Sequence, residues 1–171
     1  MSKLPKTYIQ KHSYGAKCYD IEQTFGFVVM ELPFQISTEV KDIETVNYLD
    51  EDGEEVFDCG RLFVKPYDMT IVLATKGDKN TIYNNYVKLR DYLLGITNNA
   101  NDINESGILH KIYCTYNNIG RSKIRLKNLD DDATYVDLGS EQYMLKIKVQ
   151  LTVGDPITEM EYYNGNIDVK K

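Results

Sequence analysis

Tryptophan is absent from the chain, histidine occurs twice and cysteine three times. Each scarcity removes a class of chemistry. Catalysis at neutral pH draws on histidine, a perturbed carboxylate, an activated nucleophile or a metal. Of the two histidines, His12 lies in a polar N-terminal stretch and His110 sits beside apolar neighbours on a predicted strand, where a structural role is the expectation. Cys114 follows His110 at i+4, which on a strand separates the two by roughly 13 Å, too far for direct action as a pair. No HExxH, CxxC, GxSxG, Walker or GxGxxG pattern occurs. Acidic residues are plentiful, but none stands out as one of the paired carboxylates of a glycoside hydrolase. The expectation is a protein with no catalytic, cofactor-binding or metal-binding residues.

Other absences bound the setting. Cys18, Cys59 and Cys114 are few, odd in number and far apart, a pattern of free thiols in a reducing compartment rather than of a disulfide framework. No apolar run approaches the ~20 residues that span a bilayer. The N-terminal MSKLPKTYIQKHSYG has no apolar signal core, so the expected product is cytoplasmic, with no membrane partner. Basic side chains number 20 against 26 acidic ones, and the net charge of -6 argues against general nucleic-acid binding, which rests on clustered Lys and Arg.

What is present is ordinary globular material with a tyrosine surplus. A 42 % hydrophobic and 27 % charged composition over 171 residues fits one domain with a proper core. Fourteen tyrosines suit half-buried sheet surfaces and interfaces, because the ring packs while the hydroxyl stays wet.

The chain is organised around residues 61–95, RLFVKPYDMTIVLATKGDKNTIYNNYVKLRDYLLG. Met69, Ile71 and Leu73 share one face of a predicted strand, with Thr70, Val72 and Ala74 on the other. Lys76-Gly77-Asp78 turns the chain, and Asp78 or Asn80 caps a helix over 80–94. In it Ile82, Tyr86, Leu89 and Leu93 line one face, and Gly95 ends it in the left-handed conformation. Tyr143, Leu145, Ile147, Val149, Leu151 and Val153 occupy one face of the cleanest strand, which Gly154-Asp155-Pro156 stops. Ile108, His110, Ile112 and Cys114 share a strand face, and so do Ile124 and Leu126, with Lys123, Arg125 and Lys127 outward. FGFVVMELPF reads as a further strand, and 34–46 as strand or irregular.

Glu39 to Asp58 is strongly acidic, and Asp52-Gly53 marks a turn between VNYL and EVFD, giving a hairpin with a charged tip. It is not a calcium loop: that motif needs glycine at its sixth position, and here Gly53 comes fourth from Asp50. Asp130-Asp131-Asp132 reads as a solvated turn. Residues 1–17 are expected to form a loose N-terminal arm, 18–157 the folded domain and 158–171 a polar tail. The fold expectation is a mainly β (α+β) antiparallel β-sandwich or half-barrel with one flanking helix.

Three segments together resemble the distal-tail and tail-tube proteins of long-tailed bacteriophages, and the type VI secretion tube proteins that share their fold. They are the hairpin and arm NYLDEDGEEVFDCGRLFVKPYDMTIVLAT, the helix KNTIYNNYVKLRDYLLG, and the strand set ILHKIYCTYNNIGRSKIRLK and EQYMLKIKVQLTVGDP. Pro66, the Gly77 turn, the 83–94 helix, Tyr113 to Tyr116 and the strand ending at Pro156 look like the family's ordered parts, over roughly residues 20–157. The likeness is greatest to distal-tail-like proteins of phages and prophages of gut bacteria. It implies a structural subunit of the virion tail, made in the bacterial host cytoplasm, that self-associates into a ring, a hexamer, around a DNA channel and contacts other tail proteins. It implies no catalysis, no cofactor and no sequence-specific nucleic-acid binding. The candidate arms between subunits are residues 48–65 and the two termini. The alternative from residue chemistry is a tyrosine-rich β-sandwich that binds carbohydrate or peptide. Missing tryptophan counts against sugar stacking there, although tyrosine can substitute.

Overall fold

Two long segments, Tyr67–Gly77 and Gln142–Asp155, lie antiparallel in an unbroken register from Tyr143↔Gly77 to Val153↔Tyr67, in a computed structural model that describes residues 5–36, 38–47, 49, 52–97, 103–129 and 134–171. The elements in chain order are β1 (Thr7–Lys11), β2 (Cys18–Asp20), α1 (Ile21–Phe25), β3 (Val28–Glu31), β4 (Thr45–Val46), β5 (Glu55–Val56), β6 (Tyr67–Gly77) and α2 (Lys79–Leu94). They continue with β7 (His110–Cys114), β8 (Ile119–Leu129), β9 (Thr134–Gly139), β10 (Gln142–Asp155), β11 (Met160–Tyr163) and β12 (Asn166–Val169). The main sheet has eight strands in the order β2-β1-β7-β8-β10-β6-β3, with β9 also paired to β10. All its pairings are antiparallel. The fold is mainly β, with helices packed on the sheet.

Alternation along β6 and β10 divides the sheet into two unlike faces. The register sets Leu145, Ile147, Val149 and Leu151 against Thr75, Leu73, Ile71 and Met69, so one face is a continuous apolar surface. Those residues join Ile9, Ile112, Cys114 and Ile124 from the neighbouring strands in a single core. α2 supplies Ile82, Leu89, Tyr92 and Leu93 to it, and α1 supplies Ile21 and Phe25. Asp78 caps α2 by accepting from Thr81 N at 2.6 Å, and Gly95 closes it at φ 72°. Of the two capping candidates, Asp78 is the one used.

The opposite face is covered at one end by the C-terminal hairpin. Tyr162 stacks on Tyr8 at 4.0 Å between centroids and lies over Tyr113. Gln10 Oε1 accepts from Ile167 N at 2.7 Å, and Lys111 Nζ donates to Ile167 O at 2.9 Å. Gly120 permits the close approach, since a Cβ there would lie 2.8 Å from Met160 O. The 158–171 segment, expected as a polar tail, is therefore a docked hairpin with Met160 and Ile167 buried. Its turn is Asn164-Gly165, both at positive φ, the hairpin signal of an Asn-Gly step.

The N-terminal expectation is corrected in the same way. Residues 1–4 lie outside the described set, but β1 sits inside the main sheet between β2 and β7. Ile9 and Lys11 are both 1 % exposed. Lysines at 3, 6, 11 and 17 suggested a solvated arm; Lys11 instead buries its ammonium against backbone carbonyls. Other differences are local. α1 precedes the strand expected from FGFVVMELPF, which is confined to β3, and Asp20 caps the helix by accepting from Glu22 N at 3.0 Å. Ile108 lies outside β7 and is exposed. β9, a hairpin partner of β10 through Ser140 and Glu141 at positive φ, carried no strand expectation. The Asp130–Asp132 turn and the hairpin-tip residues Tyr48, Asp50 and Glu51 lie outside the described residues.

Two truncations test this packing by urea unfolding. Leu89→Ala removes a fully buried α2 side chain and should lower stability by about 2–5 kcal/mol. Ile167→Ala should lower it by a similar amount, about 2–5 kcal/mol, because Ile167 is buried beneath the hairpin. A change near zero for Ile167→Ala would mean that the hairpin does not hold to the sheet.

Candidate functional site

Three places merit a functional reading: a buried polar cluster, a tyrosine-lined cleft and the long excursion between β3 and β6. The cluster starts from Lys11 at the end of β1. Its Nζ donates to Gly107 O at 2.6 Å and to Tyr92 O, lies 3.0 Å from His110 Nε2, and rests 4.3 Å from the Tyr92 ring centre. His110 Nδ1 lies 3.1 Å from Ile124 O, which requires the proton on Nδ1 and leaves Nε2 as an acceptor for the ammonium. Every donor of Lys11 is thus used. Burial lowers the Lys11 pKa to about 8, and burial together with the Lys11 charge lowers that of His110 to about 4. A neutral imidazole, 0 % exposed, reaches no substrate. The cluster ties β1 and the segment after α2 to β7 and β8. Cys114, also buried, faces the same core, while His12 is exposed at the end of β1. Among the described residues no group of three or more His, Cys, Asp or Glu is placed to hold a metal ion, and no helix is long and apolar enough to cross a membrane.

The cleft lies between the start of α2 and the β9–β10 hairpin. Tyr83, Tyr135 and Tyr143 line it with Lys79 and Asp137, around a volume of about 520 Å³. Lys79 Nζ sits 5.0 Å from the Tyr143 ring centre, and Asp137 Oδ1 accepts from Gly139 N at 2.8 Å. The tyrosine rings are the usable feature here, since Tyr83 and Tyr135 are more than half exposed.

The excursion runs from 32 to 66 and connects two strands that are neighbours in the sheet. Adjacent antiparallel strands need a turn of a few residues, so a connection this long calls for a role of its own. Its base is pinned by the Val40↔Val64 bridge, by Lys41 N donating to Phe63 O at 2.8 Å and by Lys65 N donating to Glu39 O at 2.7 Å. Lys65 Nζ also meets Glu39 Oε1 at 2.8 Å, which holds the Glu39 carboxyl below its usual range. Beyond the base, β4 and β5 pair, among the described residues, only with each other, Thr45↔Val56 and Val46↔Glu55. The hairpin expected around Asp52-Gly53 is present, in shorter strands, with Gly53 at φ 99°.

Several large apolar side chains of this arm are not covered among the described residues. Phe57 is 79 % exposed and Leu62 59 %, and Ile43, Val46, Val56 and Phe63 are exposed as well. Ile43, Phe57, Leu62 and Phe63 line a concavity of about 380 Å³ between the limbs of the arm. Apolar surface of this kind marks an interaction site. The acidic composition was legible in sequence; that these apolar side chains stay exposed was not, because alternation does not say what lies opposite. Set against known protein families and against curated proteins, the sequence matches none of them.

The buried cluster makes stability pH-dependent. Between pH 6.5 and about 4 the unfolded chain takes up a proton at His110 that the folded chain refuses, so this stabilisation is complete above pH 6.5 and lost as pH falls toward 4. Wild type should lose up to about 3 kcal/mol more over that window than His110→Gln, measured by urea titration at each pH. Parallel curves for the two proteins would overturn the assignment.

Proposed function

We propose that this protein is a non-catalytic structural subunit of a phage or prophage tail, a distal-tail or tail-tube component that assembles with copies of itself into a ring around a DNA channel. The observation that carries the reading is the arm at 32–66: a pinned base, a hairpin with no further strand partner among the described residues, and large apolar side chains left in solvent. A side chain such as Phe57 loses favourable burial energy for as long as it stays uncovered, and a neighbouring subunit supplies the missing surface. The resemblance of the segment order to tail proteins supports the same assignment, and ring formation also satisfies the open edges at β2 and β3. In this reading the subunit belongs to the virion tail, contacts other tail proteins, and is made in the bacterial host cytoplasm.

The test replaces residues 42–62 by two glycines across the Val40–Val64 bridge, which already brings the limbs together. Wild type should form a species of several subunits at high concentration in light scattering, with a ring visible by negative stain. The shortened variant should remain folded by circular dichroism and stay monomeric. Normal assembly of the variant would overturn the assignment of the arm.

A second reading rests on the tyrosine cleft. Stacked on Tyr83 and Tyr135, with Lys79 and Asp137 at the margin, a sugar ring or an aromatic peptide side chain would be held as in an accessory binding module. Titration of oligosaccharides and of tyrosine-containing peptides, followed by tyrosine fluorescence, should then saturate in wild type and fail in Tyr83→Ala. No saturable change in wild type would remove this reading.

A further inference from the structure

The sheet face opposite the core is as distinctive in charge as the arm. On β10 the even-numbered side chains Lys146, Lys148, Gln150 and Thr152 point away from the core, opposite Ala74, Val72, Thr70 and Asp68 of β6. Lys76 stands opposite Met144 on the same face, and Arg125 of β8 opposite Thr152. Lys127 reaches across to Asp68, which also accepts from Thr152 Oγ1 at 2.7 Å. Five cations therefore gather on three neighbouring strands, with Asp68 and the β3 residue Glu31, paired opposite Val72, as the acidic members. Like charges on adjacent strands repel, and an anionic partner relieves this. The face also carries apolar surface: Val28, opposite Ala74, and Val136, opposite Met144, are both exposed. The C-terminal hairpin covers β1, β7 and the start of β8 on this side of the sheet, and leaves open the surface from the later part of β8 through β10 and β6 to β3.

The arm has the complementary composition. Residues 32–66 hold nine acidic side chains against three basic ones, a net of -6 that equals the charge of the whole chain, so the remainder is electrically balanced. Its acids alternate with apolar residues, as in Ile43-Glu44 and Glu55-Val56-Phe57. We propose that the acidic-apolar arm of one subunit docks on the basic β10–β6–β3 face of a second copy of this chain, Glu44, Glu54 and Glu55 meeting Lys76, Lys146 and Arg125 while Val56 and Phe57 cover the apolar middle. This rests on the assembly reading and adds to it which surface receives the arm and what force selects it. A nucleic-acid backbone would answer the cations but leave Val28, Val136 and the arm's own apolar side chains uncovered, which is why a second copy is the better occupant.

The experiment is a charge swap on the full chain, read by sedimentation velocity. Reversing the face (Lys76→Glu, Lys146→Glu, Arg125→Glu) and, separately, the arm (Glu44→Lys, Glu54→Lys, Glu55→Lys) should each weaken self-association by about tenfold or more. Mixing the face variant with the arm variant should restore association between them, because the now acidic face of one meets the now basic arm of the other, and its acidic arm meets the other's unaltered basic face. Raising salt from 50 to 500 mM, which shortens screening to a few ångströms, should weaken wild type in the same direction. All six positions are exposed or half-buried, and circular dichroism checks that each variant is folded. Wild-type association that ignores charge reversal and salt would overturn this docking while leaving assembly standing. A wild type that stays monomeric at every concentration, alone and with a tail-tip extract, would overturn both. Tight binding of a 30-base-pair DNA duplex that is lost in the face variant, with no self-association, would assign the face to phosphate and overturn the proposal.

Discussion

The β6–β10 ladder is the constraint on which the rest depends. Its register runs without a break over the whole of β6, and a one-residue slip would exchange the core face for the charged one. Because β10 is longer than any neighbour on its other side, it is shared there: β9 takes the first part and β8 the last, and the β8 pairing itself shifts register at Gln150/Leu151. α2 follows β6 directly through Gly77 and Asp78, so the ladder also sets where the helix lands. One strand pair thus fixes the core, the helix and the face left for partners.

Around that ladder the molecule separates into a part satisfied within itself and a part that is not. The core face of the sheet, both helices and the C-terminal hairpin bury apolar side chains against one another, and Lys11 and His110 find acceptors and donors inside. The arm at 32–66 is held firmly at its base and then leaves its apolar residues in water. The same segment carries nine acidic against three basic side chains, so the net charge of the whole chain lies in it.

The errors of sequence reading share one cause. Lys11 looked solvated because a lysine's sequence neighbours do not reveal carbonyls at Tyr92 and Gly107, which lie 81 and 96 positions away. The terminal hairpin looked like a tail because MEYY and NIDV are short and half polar, and their polar atoms are answered by Gln10 and Lys111 from strands far back in the chain. α1 has five residues, too few for a helical period to show against the β-rich run that follows.

By itself the sequence determined what is local: the faces of β6 and β10, the α2 stripe of Ile82, Leu89 and Leu93, the Asp78 and Gly95 caps, and the turn at Asp52-Gly53. These depend on side chains two to four residues apart, whose relation the backbone period dictates. The tertiary structure decided the sheet order, the burial of β1 and of the C-terminal hairpin's Met160 and Ile167, and the separation of an acidic arm from a basic face. Those features arise from pairings between residues remote in sequence, where strand alternation specifies which side is apolar but not which strand lies alongside.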